Sequence, residues 1–364
     1  MLKDDGTVWC QYEYDADGGM HLAPTGTIMI PGLTDVIAIS GKDNNFMALR
    51  RNGEVWTRGN NFYGELGNKT SYDPSNPPNT SLVLTPVKAD IAGAKAIVSG
   101  GQFSWAIKND GTIWGWGSDY FGQLGDGKAT AQGIIGRYNP LRSDFFNDVI
   151  SIGCGGSYTV VLRKDGTVWS WGGNNHKGQH GDGSNMNEMT RLYLYPVQVK
   201  NIENVISIAS GGYHVIALKD NGTVWAWGEN SRGQLCDGTT ENRNLPVRVR
   251  DLDHIVAISA YSSQSMALDD QGNVWTWGSG NSGQLGDGIS SYDHYSTIPV
   301  RVIINNNSVN TTGNTIAAPT NITPTANPTN SGASSPGMSL GIALTAISMV
   351  IGVYVIIDTR RKKK

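Results

Sequence analysis

The chain has 364 residues, of which 47 are Gly and 11 are Trp, with only 16% charged and a formal charge of −3. That balance suits many short strands and tight turns and serves long helices poorly, because Gly supplies the positive-φ positions that turns demand. Charge is spread evenly until a closing Arg360, Arg361, Lys362, Lys363, Lys364, so no basic stripe of a nucleic-acid binder exists, and Cys10, Cys154 and Cys236 match neither a zinc spacing nor a small disulfide scaffold.

From residue 1 to about 304 one phrase recurs six times: KDDGTVW at 3–9, RNGEVW at 51–56, NDGTIWGWG at 109–117, KDGTVWSWG at 164–172, DNGTVWAWG at 220–228 and DQGNVWTWG at 270–278. Asp-Gly or Asn-Gly between alternating apolar runs is the strongest short-range hairpin signal, so each copy centres a hairpin. The Trp pairs that follow, such as Trp114 and Trp116 or Trp225 and Trp227, stand at i and i+2 and share one face of a strand. Ahead of every copy but the first lies a β-branched run, as in VISIASGGYHVIAL at 205–218, and behind most lies a second turn phrase, as in GQLGDG at 122–127. Short runs around Pro86, Pro196, Pro246 and Pro299 supply a fourth strand, with Pro suited to a strand start or a sheet edge. Units of about 50 residues and four strands, whose Trp faces need a neighbouring sheet, make an all-β propeller.

The run HVIALKDNGTVWAWGENSRGQLCDG at 214–238 resembles the regulator of chromosome condensation repeat. The resemblance covers about 1–304 and implies a seven-bladed propeller. Six hairpin phrases are present, and the first unit lacks the two strands that precede the others, so a missing repeat upstream is expected. The founding eukaryotic member of that family is a nucleotide exchange factor for a Ras-like GTPase, acting through one propeller face and an inserted β-wedge; no insertion of that kind is visible.

Residues 305–337 form an Asn/Ser/Thr/Pro-rich stretch without charge, expected to be a disordered stalk, in which Asn306, Asn310 and Asn321 match the N-glycan acceptor pattern. Residues 338–357 are 20 without a charge, long enough at about 1.5 Å each to span a bilayer as a helix. The basic tail at 358–364 is expected to stay cytoplasmic under the positive-inside rule, which puts the propeller outside a single-pass membrane anchor.

For chemistry the chain offers little. Asp126, Asp182, Asp237 and Asp287 follow the second turn phrase and are read as capping their own turns rather than holding calcium. His214 has Asn45, Phe103, Tyr158 and Gln264 as counterparts in other units, so it is read as a packing residue and not as part of a matched ring. With no phosphate loop, nucleophile elbow or metal motif, no catalytic, cofactor or metal site is assigned, and a non-enzymatic role is expected. The positions that vary on the fixed scaffold are Phe62 and Tyr63, Tyr120 and Phe121, His176 and Lys177, Ser231 and Arg232, and Asn281 and Ser282, one pair before each second turn phrase. These ten, with the Tyr-bearing loops at 68–85, 128–140, 184–195 and 289–298, are the expected partner-binding surface. The resulting expectation is a cell-surface propeller for an extracellular protein or glycan, with no nucleic acid bound and a small GTPase set aside. The alternative is a regulatory propeller serving as guanine nucleotide exchange factor on the cytosolic side.

Overall fold

The computed structural model of the chain describes residues 1–10, 12–14, 20–22, 27–70, 82–129, 136–187 and 191–303. Within them lie five four-stranded antiparallel sheets, each a meander whose strands pair in sequence order. The first blade is Val36–Lys42, Asn45–Arg50, Val55–Asn60 and Leu82–Lys88. The second is Ala94–Ser99, Phe103–Lys108, Ile113–Gly117 and Arg137–Ser143, and the third is Val149–Cys154, Thr159–Arg163, Val168–Trp171 and Val197–Gln198. The fourth is Val205–Ser210, His214–Lys219, Val224–Gly228 and Arg243–Arg248, and the fifth is Ile255–Tyr261, Gln264–Asp269, Val274–Ser279 and Tyr295–Arg301. Ahead of them, Trp9–Cys10 pairs with Ile28–Met29 and Tyr12–Tyr14 with Met20–Leu22, and Val8, Ile30 and Leu33 pack against Val36, Ile39 and Ala48 of the first blade. The sheet architecture is the propeller that the repeats predict.

The hairpin phrase forms as its residues dictate. Gly111 and Gly222 take φ of 80° and 79°, a conformation that strains any side chain. The residue before each is an Asx cap: Asp110 Oδ1 accepts from the Thr112 amide at 3.0 Å and hydroxyl at 2.7 Å, and Asn221 repeats this with Thr223. Pro86, Pro246 and Pro299 lie within outer strands, where no further strand needs their missing N–H.

Blades join through the Trp faces. The second Trp of each pair is fully buried, and its indole N–H reaches a carbonyl of the preceding blade: Trp116 to Glu65 at 2.8 Å, Trp171 to Gln123 at 3.1 Å, Trp227 to Gln179 at 3.1 Å and Trp277 to Gln234 at 2.9 Å. A buried indole N–H left unpaired would cost about 1–3 kcal/mol, so each bond fixes both ring and neighbour. The first Trp is half-buried and lies under a cation in three blades: Arg50 over Trp56, Lys108 over Trp114 and Lys219 over Trp225. The five inner strands surround a small central cavity of about 90 Å³. Lys42 crosses it, donating to the carbonyls of Cys154 at 3.0 Å and Gly155 at 3.3 Å, so the first blade is strutted to the third.

The stalk, the apolar run at 338–357, the basic tail and Asn306, Asn310 and Asn321 lie outside the described residues. No helix of the described residues is long and apolar enough to cross a membrane.

Candidate functional site

Strand direction decides which loops share a face. Inner strands end, second strands begin and third strands end on the same side, as the pairings Ser104 with Ser99 and Phe103 with Gly117 require. All ten variable positions follow a third strand, so the structure brings them to this one loop face.

Each pair is held by the phrase behind it. The Gln side chain folds back so that its oxygen accepts the amide of the second residue of the pair: Gln123 from Phe121 at 2.9 Å, Gln179 from Lys177 at 3.1 Å, Gln234 from Arg232 at 2.8 Å and Gln284 from Ser282 at 2.6 Å. The Gly of the phrase packs on the next blade's outer strand. A Cβ on Gly64 would come within 2.7 Å of the Tyr138 backbone, and one on Gly178 within 2.8 Å of Asn244. The pairs are thereby fixed presenters rather than free loop tips.

What they present differs around the ring. Phe62 and Tyr63 meet edge to face at 4.9 Å, and Tyr120 and Phe121 repeat this at 4.9 Å with nearly the same angle. Tyr120 is 57% exposed and Phe121 38%, large values for aromatic rings. In the later blades the pairs are polar and engaged with the next blade: Lys177 reaches Glu229 at 3.1 Å, His176 stacks near Tyr213, and Arg232 stands 4.0 Å from Asp293. Ser231, Asn281 and Ser282 are simply exposed.

The flanking tyrosines divide. Tyr195, Tyr292 and Tyr295 are exposed, as a binding surface requires. Tyr193 is buried against His180 at 4.2 Å, and the Tyr138 hydroxyl donates to the Phe62 carbonyl, so both hold the scaffold. Tyr72 lies outside the described residues.

The remaining candidates are structural. Asp126, Asp182, Asp237 and Asp287 each accept the amide two residues on, at 2.9, 3.0, 2.9 and 3.1 Å. Their second oxygens mostly meet a basic side chain of the same loop, the guanidinium of Arg137 or Arg243 or the ring of His294. Among the described residues no group of three His, Cys, Asp or Glu side chains is arranged to hold a metal. His214 is fully buried, with Nε2 2.8 Å from the Ser265 hydroxyl, and burial pushes its pKa down to about 3. Its counterparts Asn45, Phe103 and Gln264 are buried at the same strand start, and Tyr158 is buried one residue ahead of it.

Two groups escape a reading based on motifs. Burial raises the carboxyls of Glu65 and Asp119 to about 7, and each sits under one of the aromatic pairs. The signal was in the repeat: Gln becomes Glu at 65 and Asn becomes Asp at 119.

A family model described as an RCC1-like domain matches residues 18–334. Human E3 ubiquitin-protein ligase HERC2 is 33% identical over 193 residues, 52% of this chain and 4% of that protein. The mitochondrial RCC1 domain-containing protein RUG3 of Arabidopsis thaliana is 29% identical over 260 residues, 67% of this chain and 54% of that one. The chain thus spans about half or less of the length of these relatives. Prp20p of Saccharomyces cerevisiae, a protein described with binding properties to Gsp1p and histones, superposes with a TM-score of 0.69 at 20% identity, covering 83% of this chain and 74% of its own.

These findings correct the expected function and partner. A cell-surface propeller for an extracellular protein or glycan is overturned, and so is setting a small GTPase aside, because the sequence relatives are ubiquitin-protein ligases and a mitochondrial protein, and the fold neighbour Prp20p is described with binding to Gsp1p. The surface reading came from residues 305–364, which lie outside the described residues.

Proposed function

The chain belongs to the RCC1-like domain family, and from that premise we propose that it is a regulatory propeller whose loop face docks a small GTPase and speeds release of its guanine nucleotide. The observation that carries this reading is the exposed pair Tyr120 and Phe121, with the half-buried pair Phe62 and Tyr63 beside it on the same face, each held by the turn phrase behind it. Rigid aromatic anchors give large contact area at little entropic cost and dominate protein interfaces. Exchange needs no covalent step. A surface that binds the GTPase better in its nucleotide-poor form than in its nucleotide-bound form shifts the population toward release, so no nucleophile or metal is called for. The Gsp1p-binding neighbour supports the choice of partner class. A GTPase partner puts the propeller on the cytosolic side of any membrane that 338–357 enters, the reverse of the topology expected from the basic tail.

The test is release of fluorescent GDP from purified Gsp1p. The chain should accelerate it, and Tyr120→Ala with Phe121→Ala should remove most of the acceleration while leaving the melting temperature unchanged. Release at the uncatalysed rate in the presence of folded chain would sink the reading. The 33% identity with HERC2 favours a second reading, a propeller that recruits a protein to a larger ligase. That reading predicts capture of a folded partner with no effect on nucleotide release.

A further inference from the structure

Two buried carboxyls stand where the repeat mostly places amides, Gly280 of the fifth blade being the exception, and both lie beneath the aromatic half of the loop face. Gln123, Gln179, Gln234 and Gln284 have Glu65 as their counterpart in the first blade, and Asn61, Asn175 and Asn230 have Asp119 in the second. Glu65 is 3% exposed and Asp119 fully buried.

Most of the amide side chains both accept and donate, the Gln234 nitrogen alone among the four Gln being buried without a partner, and the carboxyls can only accept without a proton. Glu65 Oε2 accepts the Tyr63 amide at 2.8 Å, as each Gln does for its own pair. Gln123 and Gln284 also donate, to Ser118 at 3.2 Å and Asn281 at 2.9 Å, which an ionised Glu65 cannot. Asp119 Oδ1 accepts the Leu124 amide at 2.9 Å, as Asn175 does for His180 and Asn230 for Leu235. Those Asn residues then donate to the loop carboxylate, Asn175 to Asp182 at 3.2 Å and Asn230 to Asp237 at 3.1 Å. The equivalent atom, Asp119 Oδ2, is buried with no hydrogen-bond partner and faces the charge of Asp126.

We propose that Glu65 and Asp119 are proton-operated latches: protonated, they complete the loop bonds that the amides make elsewhere and hold the aromatic pairs rigid; ionised, they release those loops. That the latch controls docking rests on the function proposed above.

The surroundings favour this. The groups acting on Glu65 are the amides of Tyr63 and Gly64, its own amide and the Asn45 side chain, none of them charged. Asp119 faces Asp126 and Arg137, and the guanidinium is committed to Asp126, at 2.5 Å against 3.8 Å for Asp119. Burial therefore governs both carboxyls and raises each to about 7, so both change form near neutral pH.

Amide hydrogen exchange of the full chain at pH 5.5 and 8.0, corrected for the intrinsic pH dependence, tests the latch without any partner. Protection in loops 61–70 and 119–128 should match loop 230–239 at pH 5.5 and fall about tenfold below it at pH 8.0. Glu65→Gln and Asp119→Asn should each restore protection in its own loop at pH 8.0. Equal protection at both pH values in the wild type, or a loss that persists in the amide variants, would overturn the latch. Because the readout is the loop itself, that failure is distinct from a failure to act on Gsp1p.

Discussion

The loops of the first two blades and those of the last three are built on one scaffold and differ in what they expose and what lies beneath. In the first two, aromatic pairs, half-buried at Phe62 and Tyr63 and exposed at Tyr120 and Phe121, sit over buried carboxyls. In the third and fourth, polar pairs sit over amides, Gln179 with Asn175 and Gln234 with Asn230, and reach sideways to the next blade. The lesson is that a repeat protein can hold its architecture constant while tuning one sector of a face. The inter-blade Trp bonds do not distinguish the halves: Trp116 reaches back by the same bond as Trp227.

The largest expected effect tests that equality. Trp116→Ala and Trp227→Ala should each cost about 3–5 kcal/mol, by lost burial and an emptied site between blades. Urea unfolding should return similar losses for both. A difference above about 1.5 kcal/mol would break the comparison, because the halves would then differ in scaffold as well as in loops.

The carboxyls come next and carry a pH signature. Each is raised in the folded state, so the folded chain holds more protons than the unfolded one between roughly pH 4 and 7, and stability falls as pH rises through that window. Above it the full penalty applies, on the order of 3 kcal/mol for each group taken separately. Glu65→Gln and Asp119→Asn should therefore raise the melting temperature at pH 8 and change it little at pH 4.5. The reverse swap, Gln234→Glu in the fourth blade, should import the same loss at high pH. Thermal melts of all three variants across pH 4.5–8 settle the matter, and a flat Gln234→Glu profile would mean that position 234 lacks the desolvated setting of Glu65.

Much of this could be read from the residues. The Asp-Gly phrase fixed the hairpins because only Gly tolerates φ near 80° there, and the i, i+2 Trp spacing fixed the buried face. The turn-capping aspartates and the buried His214 also followed from local chemistry and from comparing repeats. Burial of individual side chains did not follow. Tyr193 and Tyr195 are two apart in one loop, yet the first is buried against His180 and Ser184 of that same loop and the second is exposed, because the loop's own path back over itself decides and no spacing reveals it. Glu65 and Asp119 were visible as departures from the repeat, but their protonation depends on exclusion from water, which no spacing reveals.

A smaller effect separates the halves in docking rather than in folding. Tyr120→Ala with Phe121→Ala removes exposed rings, so it should leave stability within about 0.5 kcal/mol and weaken partner binding about tenfold. Ser231→Ala with Asn281→Ala, on the polar half, should change binding less than twofold. Titration against Gsp1p compares the two, and equal losses would mean that the partner covers the whole face evenly.

The smallest effect concerns the sideways contacts of the polar half. Lys177 and Glu229 meet at 3.1 Å, partly exposed, bridging the third and fourth blades. A pair so placed gains modest Coulomb energy, gives up side-chain freedom and is screened by salt, so a double-mutant cycle with Lys177→Met and Glu229→Gln should give a coupling of about 0.2–1 kcal/mol at low salt that shrinks toward zero at 1 M. A larger, salt-resistant coupling would mean that the polar half is locked by its charges as the aromatic half is by its protons. The two sectors would then share one strategy, rigid loops on a rigid ring, reached through different chemistry.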